Sequence, residues 1–283
     1  MTNPAELVVR VAAIQLDVKL GDKAGNLEKI QSYAREAADQ DADLVVFPEC
    51  AVTGYVMESR EEAMEYAEPA DGPVAQAAAE LSRELGIHLV YGYLERDGDA
   101  VYNALALFGP EKRLCGYRKI HLPYVGADRF VDPGNRPFEV IDTPCGRLGL
   151  HICYDGAFPE SGRIMTLQGA DLLLLPTNWP AGAEPFAKYC VNTRAWENTV
   201  HMLAADRVGT ERSAQFIGLS RIVDCQGTTL AEADGESEVI LYADLDMMAP
   251  RSKRTVRVDG THHIDRIADR RPDFYGRITD RPS

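Results

Sequence analysis

At 283 residues the chain has room for one large domain or two small ones, and for a sizeable buried core in either case. Its 45% hydrophobic and 26% charged residues are ordinary for a globular protein, while 30 basic against 44 acidic residues leave a net charge of −14. A field of that sign repels nucleic acid and anionic membranes, so neither is expected as a partner.

The amino-terminal stretch carries neither a basic segment nor a long apolar one, and no apolar run is longer than Leu172–Pro176, far too short to span a bilayer. The cytoplasm is therefore the expected location. Six cysteines, Cys50, Cys115, Cys145, Cys153, Cys190 and Cys225, show no CxxC pair and no metal-ligand spacing. That is the pattern of free thiols in a reducing compartment.

Taken in order, residues 6–15 form a β-branched run that predicts a strand. Gly21-Asp22 break it, and Asp22 is placed to cap a helix in which Leu27, Ile30, Ala34, Ala37 and Ala38 recur at helical spacing. Residues 43–47 read as a fully buried strand closed by Pro48, so the chain opens β–α–β, the signature of layered α/β architecture. Asp71-Gly72-Pro73 starts a second, alanine-rich helix that Gly86 stops. Strands follow at 87–94 and 101–108 around the turn Arg96-Asp97-Gly98-Asp99, with another over about 112–118.

Beyond a loop rich in Pro and Gly come strands at 138–141 and 147–152, a helix over 158–168 and the buried strand 171–175. A helix over about 184–198 leads to a strand at 201–206. From Phe216 the pattern predicts hairpins, with strands at 216–224, 228–232 and 238–246 and turns at Gln226-Gly227 and Asp234-Gly235. The tail over 250–283 has little apolar periodicity and reads as a solvated extension or a strap on a neighbouring subunit. Two α/β halves, each a mixed sheet with helices outside, predict one α-β-β-α sandwich domain over 1–283.

Three polar residues each follow a strand directly. Glu49 follows Leu-Val-Val-Phe-Pro, Lys119 follows Leu-Cys-Gly-Tyr-Arg, and Cys153 follows Leu-Gly-Leu-His-Ile. Ligand sites of α/β sheets gather at the carboxyl ends of strands, so the three converge on one crevice in this reading. Alone, each has a duller explanation: a capping carboxylate, a solvent-facing lysine, a packed thiol. Together they make a chemistry. A thiol needs a base, and a carboxylate serves when burial raises its pKa. An ammonium stabilises both a thiolate and the oxyanion of a tetrahedral intermediate, with the main-chain N–H of Tyr154 as a second donor. Histidine is not required. His88, His201, His262 and His263 fit a Cys–His scheme poorly, leaving His151, on the same strand face as Cys153, and His121, just past Lys119, as contacts to test.

Phe47-Pro48-Glu49, Tyr117-Arg118-Lys119-Ile120-His121-Leu122 and Ile152-Cys153-Tyr154-Asp155 resemble the three motif regions of the nitrilase superfamily of carbon–nitrogen hydrolases, in that family's order. Gly21-Asp22 with Asn26-Leu27, Thr53-Gly54-Tyr55, Pro159-Glu160, Pro176-Thr177-Asn178-Trp179 and Arg194-Ala195-Trp196-Glu197-Asn198 support the resemblance, which spans roughly residues 8–246. It implies a four-layer α-β-β-α sandwich with two mixed β-sheets, pairing of two copies into a homodimer, and a thiol acyl-enzyme mechanism without metal or organic cofactor. Carried over, Cys153 is the nucleophile, Glu49 the general base and Lys119 the oxyanion stabiliser. Many members add a glutamate between the lysine and the cysteine. That loop holds none here, and Asp128 is the candidate stand-in, with Asp132 behind it.

Tyr55, Tyr124, Phe130, Tyr154, Asn178 and Trp179 are expected in the pocket wall, where aromatic residues near a small site would select by shape. Arg129 is a candidate partner for a substrate carboxylate, and Asp155 and Glu184 for a substrate amine. Tyr-Asp rather than Trp-Glu after the thiol points to the amidase-like branches: hydrolysis of a small linear carboxamide to acid plus ammonia through a Cys153 thioester. N-carbamoyl hydrolysis and nitrile hydrolysis are the alternatives within the family, and a non-catalytic binding protein on the same fold is the alternative outside it. A metallohydrolase fares worse, because HExxH and paired Cys/His spacing are absent and His262-His263 fall in a tail read as irregular.

Overall fold

In the computed structural model, which describes residues 6–280, the β-branched opening run forms β1 (Val8–Asp17). Asp22 then caps α1 (Lys23–Ala38), its side chain accepting from the Gly25 N–H. β2 (Leu44–Val46) lies parallel to β1. Next come α2 (Arg60–Tyr66), β3 (Glu68–Pro69) and α3 (Pro73–Leu85), the last ended by Gly86 in the left-handed conformation. β4 (His88–Asp97) returns parallel to β2, and β5 (Ala100–Phe108) and β6 (Arg113–Arg118) extend the sheet antiparallel.

The second sheet begins with the pair β7 (Val140–Thr143) and β8 (Gly146–Leu150). α4 (Pro159–Leu167) connects β8 to the parallel β9 (Leu172–Pro176), and α5 (Val191–Asn198) connects β9 to the parallel β10 (His201–Ala205). β11 (Arg207–Val208) joins β1 of the first sheet, and β12 (Thr210–Glu211) and β13 (Ala214–Gln215) make a small ribbon. β14 (Arg221–Val223) and β15 (Thr229–Glu232) complete the second sheet in the order β15-β14-β10-β9-β8-β7.

β16 (Val239–Asp246) departs from the expected hairpin. It crosses to the first sheet and pairs antiparallel with β1 from Val8↔Asp246 to Gln15↔Val239. β1 thereby gains neighbours on both edges, which suits a strand buried on both faces. Two further differences are α2 and the tail. Ser59 caps α2 by accepting from the Glu62 N–H while Glu62 reaches back to the Glu58 N–H, so Ser-Arg-Glu-Glu was a legible start signal. The tail is not irregular: β17 (Arg254–Val258) and β18 (His262–Asp265) form a hairpin that contains His262 and His263.

The layers follow from which faces are apolar. Between the sheets, Val11, Ala13, Val46 and Leu105 meet Leu148, Leu150, Leu174 and Leu203 in one cluster. The outer face of the first sheet packs on α1 and α3 through Ile30, Ala34, Ala37, Val74, Ala78 and Leu81. α4 and α5 cover the second through Met165, Val191 and Ala195. The protein is thus an α-β-β-α sandwich. Leu172, Leu173, Leu174 and Leu175 are fully buried in β9, and truncating any one to alanine is worth about 2–5 kcal/mol. No helix among the described residues is long and apolar enough to cross a membrane.

Candidate active site

Glu49 is presented by a turn laid against β4. The Phe47 N–H donates to Val90 O at 2.8 Å and the Gly92 N–H to Pro48 O at 3.1 Å. A Cβ on Gly92 would stand 2.6 Å from Glu49 Cα, so only glycine lets this turn close onto the strand. Lys119 leaves β6 with its N–H donating to Asn103 O at 2.8 Å and its carbonyl accepting from Gly134 N at 2.7 Å. Asp128 lies in a 3-10 turn, Gly126–Arg129, that presses on Tyr55. Gly126 has φ +53°, and a Cβ there would run into the Tyr55 ring.

Cys153 follows β8 and opens a second 3-10 turn, Cys153–Ala157. Its φ of 45° is left-handed, a strained backbone for a residue with a side chain. Asp155 holds that turn. Its Oδ2 accepts from Ile152 N at 3.1 Å and from the Tyr117 hydroxyl at 2.7 Å, and its Oδ1 accepts from His121 N at 3.0 Å. His121 Nδ1 lies 2.8 Å from the same Oδ1, and the His121 ring stacks on Phe158 at 3.8 Å. Asp155 therefore braces the Cys153 turn to the end of β6, and it is not among the residues that line the cavity beside Cys153, where the sequence reading expects it.

Four polar side chains close around the Lys119 ammonium. Lys119 Nζ is 2.7 Å from Glu49 Oε1 and 2.5 Å from Asp128 Oδ2. Asn103 Nδ2 donates to Glu49 Oε1 at 2.6 Å and to Asp128 Oδ1 at 2.8 Å, and the Tyr55 hydroxyl donates to Asp128 Oδ2 at 2.7 Å. Burial raises the Glu49 pKa, against the opposing pull of Lys119, and Asp128 adds to the rise. Burial alone would lower the Lys119 pKa, but the carboxylates of Asp128 and Glu49 outweigh it and hold the ammonium charged well above its ordinary range. Burial, and then the Glu49 carboxylate, push the Cys153 thiol up, while Lys119, the Thr177 hydroxyl and the Asn178 main-chain N–H act the other way. The resting sulfur is thus a neutral thiol.

Several buried polar atoms here lack a protein hydrogen-bond partner: Glu49 Oε2, both side-chain amide atoms of Asn178, and Asp206 Oδ2. Such atoms are uncommon in protein interiors, and each calls for an explanation such as a catalytic role, a water or an ion. Beside them is a cavity of about 280 Å³ lined by Cys153, Tyr55, Tyr154, Asn178 and Trp179, with Val125, Ala183 and Phe186 among the rest of its wall. Larger clefts elsewhere on the surface do not include Cys153.

Of the expected wall residues, Tyr55, Tyr154, Asn178 and Trp179 line this cavity; Tyr124 and Phe130 do not. Tyr124 is 86% exposed, and Arg129 stacks its guanidinium over Tyr124 at 5.0 Å and over Phe130 at 4.8 Å. Arg129 and Glu184 are not in the lining either. Asp132 is occupied elsewhere, 2.7 Å from Arg60 and accepting from Val101 N at 2.9 Å, so of the two loop aspartates only Asp128 reaches Lys119. His151 is buried with its Nδ1 3.4 Å from the Ser161 hydroxyl, and burial pushes its pKa down to about 4, leaving it neutral.

Sequence reasoning missed Asn103, Asp206 and Phe186, and quoted Thr177 only within a supporting segment. Asn103 had a signal, a lone amide inside the apolar run of β5. Asp206 stands just past β10, the same strand-end position as the other three. Phe186 lies in a π-helical turn, Phe186–Cys190, that breaks what the periodicity reads as one helix over 184–198.

The carbon–nitrogen hydrolase family model matches residues 10–254. The chain belongs to the carbon–nitrogen hydrolase family. A nitrilase of Pyrococcus abyssi is 36% identical over 271 residues, covering 95% of this chain and 100% of the relative. The omega-amidase of Homo sapiens is 34% identical over 254 residues, covering 84% and 88% of the two chains. Among solved structures, a mutant amidase from Nesterenkonia sp., showing Michael addition of acrylamide at its active-site cysteine, superposes with a TM-score of 0.75. It is 26% identical and covers 87% of this chain and 96% of its own. As a carbon–nitrogen hydrolase of nitrilase-like fold, the protein carries its candidate site at the carboxyl ends of strands from both sheets.

Proposed function

We propose that this carbon–nitrogen hydrolase cleaves small linear carboxamides to acid and ammonia through a thioester on Cys153. The observation that carries the reading is the unpartnered Glu49 Oε2. Oε1 is held by Lys119 and Asn103, which leaves one oxygen of a raised-pKa carboxylate free at a site containing a neutral thiol. That is the arrangement of a general base.

In this reading Cys153 Sγ attacks the amide carbon while Glu49 takes the thiol proton. The carbonyl π electrons move to oxygen, where Lys119 and the Tyr154 main-chain N–H stabilise the charge. The intermediate collapses, the C–N bond breaks, and Glu49 returns the proton to the departing nitrogen, giving ammonia and a thioester. Water then attacks the thioester, Glu49 accepting its proton; the C–S bond breaks and the proton restores the thiol. Asp128 keeps Lys119 charged and directed throughout. The amidase and omega-amidase among the similar proteins support an amide as the bond cut.

An ammonia-release assay over matched amides, N-carbamoyl compounds and nitriles tests the reading. Amides should turn over with no carbon dioxide formed, and Glu49→Gln and Cys153→Ala should each lose about 10³-fold or more in kcat. Carbon dioxide evolved with the ammonia would indicate N-carbamoyl hydrolysis instead. We also infer pairing of two copies, because Ile164, Leu167, Tyr189 and Trp196 stand exposed on and beside α4 and α5. Light scattering should give the mass of a dimer.

A further inference from the structure

When the leaving group is ammonia, the only part of a carboxamide that needs housing is its acyl chain. The cavity next to Cys153, about 280 Å³, is roughly twice the ~150 Å³ apolar cavity that admits benzene. Its wall is carried by Val125, Ala157, Trp179, Pro180, Ala183 and Phe186, with Trp179 and Phe186 meeting edge-on at 5.4 Å. Among the described residues, no Asp, Glu, Lys, Arg or His lines it.

The carboxyl and ammonium groups nearest to it, those of Glu49, Lys119, Asp155 and Asp206, are not in the lining. Lys119 is held by Glu49 and Asp128. Asp155 spends both oxygens on Ile152, Tyr117 and His121. Asp206 Oδ1 accepts from Trp179 N at 2.9 Å and from Arg207 N at 2.8 Å, while its Oδ2 has no protein partner but lies outside the lining. The polar group left for a ligand on the wall is neutral: Asn178, buried, with neither its amide oxygen nor its amide nitrogen bonded to protein.

Resting on the amidase reading above, we propose that this site selects carboxamides whose acyl group is uncharged and apolar, aliphatic or aryl, of about the size of a pentyl or benzyl group. The Asn178 side chain meets the carboxamide end, offering one donor and one acceptor to a group that carries both. A carboxylate or ammonium two to four carbons from the carbonyl would be buried against this wall without a partner, which is strongly unfavourable.

The test compares hexanamide with two partners of similar length, 5-aminopentanamide and the monoamide of glutaric acid, and adds phenylacetamide. Ammonia release gives kcat/KM for each, and protection of Cys153 from iodoacetamide, read by peptide mass, gives binding without turnover. The expected result is that hexanamide and phenylacetamide exceed both charged amides by about 10²-fold or more in kcat/KM and protect Cys153 at correspondingly lower concentration. Equal or better turnover or protection by either charged amide overturns the proposal. If no amide releases ammonia but the neutral ones still protect selectively, the amidase reading fails and the apolar selection stands.

Discussion

Asp128 Oδ2 lies 2.5 Å from Lys119 Nζ, although its side chain is one methylene shorter than the glutamate many relatives are expected to carry there. The main chain makes up the difference. The turn at Gly126 packs directly on Tyr55 and brings residue 128 in to the ammonium. Removing the charge while keeping the shape, Asp128→Asn, should lower kcat on the order of 10²-fold by letting Lys119 drift, with KM little changed. Steady-state kinetics on purified variant checks it; unchanged kcat would show that Glu49 alone positions Lys119.

Gly126 itself gives a second prediction. Gly126→Ala places a Cβ into the Tyr55 ring and forces a side chain into a left-handed backbone, for a loss of about 2–4 kcal/mol. Chemical denaturation should show that loss together with reduced activity, because the same turn carries Asp128. Wild-type stability in this variant would mean the turn has room to shift.

The pH dependence follows from the direction of the Glu49 shift. Its pKa is raised, first by burial and further by Asp128, so the basic form is lost on acidification earlier than for an ordinary glutamate near ~4.3. kcat/KM should therefore fall as pH drops through an apparent pKa clearly above that value. Glu49→Gln should abolish this limb and also slow iodoacetamide labelling of Cys153, whose thiol is itself shifted upward. Labelling that rises only through the thiol range in both proteins would remove Glu49 from the role of base.

Asp206 makes a stability prediction separate from catalysis. Burial raises its pKa well above the ordinary carboxylate range, against the pull of the Trp179 and Arg207 amides. The folded state then holds a proton that the unfolded state releases near ~3.9, so stability is fully present below that pH and is lost as pH rises through the folded pKa. Asp206→Asn keeps an oxygen for the two amides and removes the titration. Its Tm should fall less than that of the wild type between pH 5 and 9. Parallel curves for the two proteins would show that Asp206 is not protonated in the fold.

Much of this was legible in the sequence, for physical reasons that differ by element. Helices α1 and α3 announce themselves through Asp22, Pro73 and Gly86, residues whose local backbone chemistry fixes an end wherever the helix packs. Glu49, Lys119 and Cys153 stood out because each ends a strand, and the fold brings those ends together. What stayed hidden depends on distant partners. Nothing local in Val239–Asp246 says that it pairs with β1 rather than with β15, because pairing of that range is decided by which edge is open. Tyr124 and Phe130 are as aromatic as Tyr55, yet Tyr55 alone is turned inward, by Gly126 packing on its ring and Asp128 accepting its hydroxyl. Asp155 looked like a charge for a substrate and is instead a brace, since three donors from two segments converge on it.

The most direct measurement is the mass of the peptide containing Cys153, taken from enzyme quenched in acid during turnover of hexanamide. The expected result is a gain equal to the hexanoyl group replacing one hydrogen, on Cys153 and not on Cys50, Cys115, Cys145, Cys190 or Cys225, and absent in Cys153→Ala. Full amide turnover by Cys153→Ala, or an acyl group found on another cysteine, would contradict the assignment of Cys153 as nucleophile.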